Sequence, residues 1–146
     1  RLETVFKNET TALFKDFAHS PSKLKASIQA VKEQFPERKL VACMELHTYS
    51  SLNPDFLTEY KGSMNEANVP IVYYNRHTLE LKKLPELNPE QVKTAFENDR
   101  LLIFTERDRL AESLHSLDWK NSALLMMSSG NFDGLDWDEL KKMMER

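Results

Sequence analysis

The sequence predicts a single α/β domain over residues 1–146, with a Rossmann-like, doubly wound and mostly parallel sheet that has helices on both faces. Compact, nearly continuous apolar runs are typical of strands that are buried on both faces. The segments between them carry apolar residues at helical spacing, which indicates amphipathic helices. Three helix starts are marked by a capping residue followed by a proline, at Ser20-Pro21, Asn53-Pro54 and Asn88-Pro89.

The elements can be placed along the chain from these patterns. Apolar runs predict strands over residues 11–14, 40–44, 69–74, 101–104 and 123–127. Helices are predicted over residues 21–35, 54–60 and 89–96, with two more around Leu110 to Leu117 and around Leu140 to Met144. The stretch between residue 74 and Asn88 is predicted to be a longer polar connection.

Composition narrows the functional class. The net charge of −3 argues against a nucleic-acid-binding protein, which would be basic, and no apolar run approaches the length of a membrane span. The single cysteine, Cys43, lies within an apolar strand, so no disulfide is predicted and a cytoplasmic location fits best. The chain opens on Arg1 without an initiator methionine, which suggests a fragment of a longer protein.

The motifs that the sequence lacks narrow the chemistry further. With three glycines in the chain, neither a GxxxxGK[ST] phosphate loop nor GxGxxG after the first predicted strand occurs. The four histidines are scattered, so no metal site is predicted, and no GxSxG nucleophile motif occurs. We therefore expect no catalytic residue within this domain alone.

Polar residues follow every predicted parallel strand. In a doubly wound sheet these strand ends lie at one edge, which is where ligands bind. A plainer interpretation is open for several of them: Asp16 and His19 could belong to an ordinary capped turn, and Arg107 could be a surface charge. The polar segments are residues 16–20, 45–51, 74–77, 105–107 and 128–134.

One of these segments carries a family resemblance. Asp16-Phe17-Ala18-His19-Ser20-Pro21 resembles the DxAHxP signature that opens the C-terminal domain of the Mur ligases and their folylpolyglutamate synthetase relatives. The segment from Leu124 to Gly134 resembles the VMSNGGFGG-type segment of the murein peptide ligase branch, and Met44 to Ser50 occupies the place of that branch's FEPRS-like loop. Arg1-Leu2-Glu3 resembles the end of the arginine-containing linker before this domain.

The resemblance implies an ATP-dependent, amide-forming ligase. Its branch joins UDP-N-acetylmuramate to the tripeptide L-Ala-γ-D-Glu-meso-diaminopimelate through an acyl phosphate, in peptidoglycan recycling. The chain would be the third, C-terminal domain of that enzyme and would act as a lid. ATP and Mg²⁺ would be held mainly by a central domain, so the isolated domain would be inactive. The N-terminal and central domains of the same chain would be its partners.

Residue roles are also implied by the resemblance. Asp16 would accept hydrogen bonds from the ribose hydroxyls of ATP, and His19 and Arg1 would lie near its phosphates. The residues expected to bind the amine substrate are Glu45, His47, Ser50, Ser128, Ser129, Gly130 and Asn131.

Two departures from the family pattern bear on the substrate. Residues 47–51 lack the arginines of the alanine-adding ligases, which disfavours free alanine. Asn131 and Asp133 replace glycines of the recycling branch, so the resemblance does not fix the exact peptide pocket. Two alternatives stay open: the C-terminal domain of a UDP-N-acetylmuramate–L-alanine ligase, and a non-catalytic, stand-alone α/β binding module.

Overall fold

A computed structural model describes all residues, 1–146, and contains one six-stranded sheet. The strand order is β1-β2-β6-β3-β4-β5; β1 pairs antiparallel with β2, and all other neighbours are parallel. The strands are β1 (Glu3–Lys7), β2 (Thr11–Asp16), β3 (Lys39–Glu45), β4 (Val69–Tyr73), β5 (Leu102–Phe104) and β6 (Ser122–Met127).

Helices cover both faces of the sheet. They are α1 (Pro21–Gln34), α2 (Pro54–Leu57), which continues as a 3₁₀ turn (Thr58–Tyr60), α3 (Arg76–Leu81), α4 (Pro89–Phe96), α5 (Arg107–Ser116) and α6 (Trp137–Glu145). None of these helices has the length and apolar character needed to cross a membrane.

Two apolar clusters make up the core, one on each face. The larger contains 25 buried residues and packs α1, α2 and α4 against the sheet, whereas the smaller contains 15 and packs α5 and α6 against the other face. Side chains alternate between the faces, so that Phe14 belongs to the first cluster and its neighbour Leu13 to the second. This arrangement confirms the predicted doubly wound, mostly parallel fold.

The strand register brings the carboxyl ends together. Asp16 of β2 and Met44 of β3 both pair with Met127 of β6, and Glu45 pairs with Tyr73 of β4. Tyr73 in turn pairs with Phe104 of β5. The residues that follow these strands therefore start at the same level and share one edge of the sheet.

The sequence prediction missed two elements. Strand β1 is half-exposed and lacks a continuous apolar run, because only one side of it pairs and one face packs. Helix α3 lies in the segment predicted as a polar connection; it begins where the Asn75 side chain accepts a hydrogen bond from the His77 N–H. Its buried residue Leu79 alone gives too weak a periodic signal.

The predicted caps differ in outcome. Asn53 and Asn88 both accept hydrogen bonds from the first turns of their helices, as predicted, and Asn88 forms a full capping box with Gln91. Ser20 precedes α1, but its side chain makes no capping bond. Pro21 nevertheless occupies the first helical position, where its missing N–H costs no hydrogen bond.

Candidate functional site

Asp16 ends strand β2 and is held by hydrogen bonds from its own turn and from α1. Its Oδ1 accepts from the Ala18 N–H at 3.1 Å, and its Oδ2 accepts from Ser27 Oγ at 2.5 Å. The backbone nitrogen of Arg1 lies 3.0 Å from Oδ1. Burial alone would raise the pKa of this carboxyl group, but the hydrogen bonds from Ser27 and Ala18 lower it below its usual value. Asp16 is therefore an ionised acceptor.

A cavity of about 340 Å³ lies beside this carboxylate. His19 lines it, with its Nδ1 3.0 Å from the Phe17 carbonyl oxygen, and its own carbonyl accepts a hydrogen bond from the Tyr60 hydroxyl. Arg1, Phe17 and Lys23 complete the charged and aromatic part of the lining, and Phe17 is 61% exposed. The structure thus brings together the three residues predicted to bind ATP.

The groups around this cavity fit a nucleotide. An ionised carboxylate accepts hydrogen bonds from ribose hydroxyls, and the side chains of Lys23 and Arg1 supply positive charge suited to phosphate. The exposed ring of Phe17 offers an apolar surface beside them.

Glu45 ends strand β3, on the far side of β6 from Asp16, and its side chain is 3% exposed. Its Oε1 accepts two hydrogen bonds from the loop after β6, one from Ser128 Oγ at 2.6 Å and one from the Phe132 N–H at 2.9 Å. Burial raises the pKa of Glu45 above its usual value, and the opposing effect of these two bonds and of nearby His47 is smaller. Glu45 therefore engages protein groups rather than facing open space.

His47 and Gly130 are packed against each other above this carboxylate. His47 Nδ1 lies 4.0 Å from Glu45 Oε2. A Cβ added at Gly130 would lie 3.0 Å from His47 Cδ2 and 3.2 Å from Glu45 Oε1, so the missing side chain makes room for these two residues. The loops after β3 and β6 consequently touch at this point.

The remaining residues predicted to bind the amine substrate are spread along the same two loops. Ser50 is exposed in a turn that hydrogen bonds between Thr48 and Ser51 hold together. Ser129 is half-buried, and its Oγ is enclosed without a hydrogen-bond partner. Asn131 is exposed, and its Oδ1 accepts from the Gly134 N–H at 3.3 Å. The structure thus places them at one edge without bringing them to a single point.

A second cavity, of about 540 Å³, lies at the ends of β4 and β5. Asp133 forms one wall: its Oδ2 accepts hydrogen bonds from the Tyr73 hydroxyl and from Asn75 Nδ2 at 3.1 Å. Arg107, at the start of α5, donates to the Asp133 carbonyl at 2.9 Å and lines the same cavity. Sequence reasoning missed this grouping.

Parts of this grouping carried a signal in the sequence. Asn75 and Arg107 lie in polar segments at strand ends, but Arg107 has the pattern of a helix-surface charge. Tyr73 sits inside an apolar strand, so its hydroxyl gave no sign of a polar role. Asp133 reaches them only because Phe132 and Asp133 adopt left-handed backbone conformations, with φ of 53° and 54°, which no sequence pattern marks here.

Comparison with known proteins finds several ligases that this chain resembles. No family model matches the chain. The UDP-N-acetylmuramate–L-alanine ligase of Lactobacillus delbrueckii subsp. bulgaricus is 38% identical over an alignment of 71 positions, which covers 39% of this chain and 16% of that protein.

Two solved structures resemble nearly the whole chain. A murein peptide ligase from Psychrobacter arcticus matches with a TM-score of 0.74 and 19% identity over 99% of this chain and 30% of its own. A domain of a putative UDP-N-acetylmuramate:L-alanyl-γ-D-glutamyl-meso-diaminopimelate ligase from Haemophilus ducreyi matches with a TM-score of 0.63 and 20% identity, over 99% of this chain and 98% of its own. The chain thus spans less than a third of the full-length ligases that it matches, and it has the fold of the Mur ligase C-terminal domain.

Proposed function

We propose that this chain is the C-terminal domain of an ATP-dependent, amide-forming Mur ligase that joins UDP-N-acetylmuramate to a cell-wall peptide in the cytoplasm. One observation carries the proposal: Asp16 and His19 of the DxAHxP-like stretch line one cavity at the ligand-binding edge of this fold. The proposal makes this domain one part of the active site, with the N-terminal and central domains of the same chain supplying the rest.

The nucleotide side of the edge lies at the end of β2. ATP, when bound, would supply the phosphoryl group that activates a muramyl carboxylate. Asp16 would accept hydrogen bonds from the ribose hydroxyls, and His19 and Arg1 would lie toward the phosphates. The structure has no cluster of His, Cys, Asp or Glu that could hold a metal ion, so we assign no Mg²⁺ ligand to this chain.

The amine-substrate side lies at the ends of β3, β4 and β6. Asn131 is exposed there, and the cavity walled by Asp133 and Arg107 has a volume of about 540 Å³. A cavity of this size accommodates more than a single alanine, which favours a peptide as the amine substrate.

Free alanine is the second candidate, and one observation favours it. The partial sequence match is to a UDP-N-acetylmuramate–L-alanine ligase. Residues 47–51 lack arginine, but Arg107 places a guanidinium group at the same edge of the sheet. The carboxylate of a bound alanine would therefore have one arginine as a partner.

The test compares the two amines with one preparation of the full-length protein. We expect ATP-dependent product formation with UDP-N-acetylmuramate and a higher kcat/KM for L-Ala-γ-D-Glu-meso-diaminopimelate than for L-alanine. A preference for L-alanine would assign the chain to the alanine-adding branch. If neither amine gives product, and the gene encodes no GKT-type phosphate loop upstream of Arg1, the stand-alone binding module would be the better description. The isolated domain serves as the negative control, because the proposal expects it to be inactive.

A further inference from the structure

The loop after β6 holds an unfavourable backbone conformation. Phe132 and Asp133 have φ of 53° and 54°, and Gly134 follows with φ of 78°. The left-handed region costs a non-glycine residue about 1–2 kcal/mol, so two such residues in a row persist only where their surroundings fix them. Three bonds do so here: Glu45 accepts from the Phe132 N–H, Arg107 donates to the Asp133 carbonyl, and Tyr73 donates to the Asp133 side chain.

Glu45 is the buried member of this set. It is 2% exposed and accepts hydrogen bonds from two points of the loop, from Ser128 at its start and from Phe132 in its second half. Ser128 also accepts from the Gly130 N–H at 2.7 Å, so the same carboxylate fixes the tight turn between them. Because Phe132 directly precedes Asp133, the bond from Phe132 to Glu45 determines where Asp133 lies in the wall of the 540 Å³ cavity.

We propose that Glu45 is a positioning residue that holds the 128–134 loop, and through it Asp133, in the geometry that meets the amine substrate. Sequence reasoning had assigned Glu45 to direct substrate contact. The proposal concerns the amine-substrate side of the proposed ligase site and rests on that function for its kinetic consequences. Its structural consequence, the order of the loop, is independent of any activity.

Two substitutions separate positioning from direct contact. Glu45→Gln keeps an oxygen that accepts from the Phe132 N–H and the Ser128 hydroxyl, but it removes the charge. Glu45→Ala removes the acceptor and leaves two buried donors unsatisfied. Ser128→Ala deletes only one of these bonds and keeps the carboxylate. Glu66→Ala is the matched control, because Glu66 is exposed in the connection before β4, at the opposite edge of the sheet.

The first measurement is hydrogen–deuterium exchange of the peptide containing residues 128–134 in the full-length protein. We expect faster exchange in Glu45→Ala, a smaller increase in Ser128→Ala, and no change in Glu45→Gln or Glu66→Ala. Unchanged exchange in both Glu45→Ala and Ser128→Ala would overturn the proposal without reference to ligase activity. Because Ser128→Ala is a mild change, the test stands even where Glu45→Ala fails to fold.

The second measurement is steady-state kinetics of the same variants. Loss of a hydrogen bond to a charged group corresponds to roughly a ten- to hundred-fold effect, which we expect in the amine-substrate KM of Glu45→Ala. The ATP KM should stay within about threefold, and Glu45→Gln should restore the amine-substrate KM. An equal loss in Glu45→Gln and Glu45→Ala would mean that the charge contacts substrate, and an equal rise in both KM values would mean general damage; either result overturns positioning. If the wild-type protein shows no ligase activity while hydrogen exchange in the loop responds as expected, the proposed ligase function is wrong, but the positioning of the 128–134 loop by Glu45 is supported.

Discussion

Asp16 and Glu45 end β2 and β3 at the same edge of the sheet, with β6 between them, and their side chains are 7% and 3% exposed. Their pKa values nevertheless move in opposite directions, downward for Asp16 and upward for Glu45. Asp16 accepts hydrogen bonds from an α1 hydroxyl and an amide N–H beside an open cavity. At Glu45 burial is the main cause of the raised pKa, which its two donors lower in part and the nearby carboxylate of Asp133 raises further.

The difference indicates a division of labour along the edge. A carboxylate that is kept ionised beside a cavity is suited to accept hydrogen bonds from a ligand. A carboxylate enclosed by its own loop is suited to hold that loop in place. We therefore distinguish two regions: the proposed nucleotide region around Asp16, Phe17 and His19, and a loop region around Glu45, Phe132 and Asp133.

The largest expected effect compares one phenylalanine from each region. Phe132 is 1% exposed and packs in the smaller core cluster, whereas Phe17 is 61% exposed. Phe132→Ala should lower the free energy of unfolding by about 3–5 kcal/mol, and Phe17→Ala by less than about 0.5 kcal/mol. Urea unfolding of both variants checks the pair. Similar losses would show that the two regions do not differ in packing.

A smaller effect is expected at Gly130. An added methyl group would meet the His47 ring at 3.0 Å, so Gly130→Ala should lower the free energy of unfolding by about 1–3 kcal/mol. His47→Ala shortens the neighbouring side chain and should relieve the clash. Adding Gly130→Ala to His47→Ala should therefore cost less free energy of unfolding than adding Gly130→Ala to the wild type. Strictly additive losses in urea unfolding would contradict the contact between the two loops.

The smallest effect concerns pH, where the two carboxylates should act with opposite sign. The pKa of Asp16 is lowered in the folded state. Its contribution to the free energy of unfolding is therefore present above pH 3.8, its usual pKa, and is lost as the pH falls below that value. The pKa of Glu45 is raised in the folded state. The protein therefore loses stability as the pH rises from 4.5, the usual pKa of this group, through its pKa in the folded state. Each slope is below about 1.4 kcal/mol per pH unit.

Unfolding measured from pH 3 to 7 against the matched amides checks this sign. The wild type should gain stability relative to Asp16→Asn at the acidic end of the range, as the pH rises. Relative to Glu45→Gln it should lose stability above pH 4.5. Slopes of the same sign would remove the distinction between the two regions.

The sequence was sufficient for the parallel strands because β2, β3, β4 and β6 are mostly buried and carry apolar runs. The short strand β5 is half-exposed, but its apolar run still marked it. It was insufficient for β1 and α3, whose half-exposed residues make little periodic pattern. Asp16 and His19 could be predicted to lie close together because only four residues separate the end of β2 from the start of α1.

The loop region was less predictable for a physical reason. Asp133 meets Tyr73 and Arg107 through residues that are 60 and 26 positions apart in the chain. The left-handed backbone at Phe132 that turns Asp133 toward them is fixed by a tertiary bond to Glu45 rather than by a local motif. Sequence reasoning therefore found the loop but missed which of its residues faces the cavity.

The most direct test of the two-region account is a kinetic crossover in the full-length protein. Asp16→Ala should raise the ATP KM roughly ten- to hundred-fold and leave the amine-substrate KM almost unchanged, since it removes an acceptor from the nucleotide region only. Asp133→Ala should raise the amine-substrate KM and leave the ATP KM almost unchanged, and Asp99→Ala, at an exposed position outside both regions, should change neither. If Asp16→Ala and Asp133→Ala raised the same KM, the division of the edge into nucleotide and amine-substrate regions would be wrong.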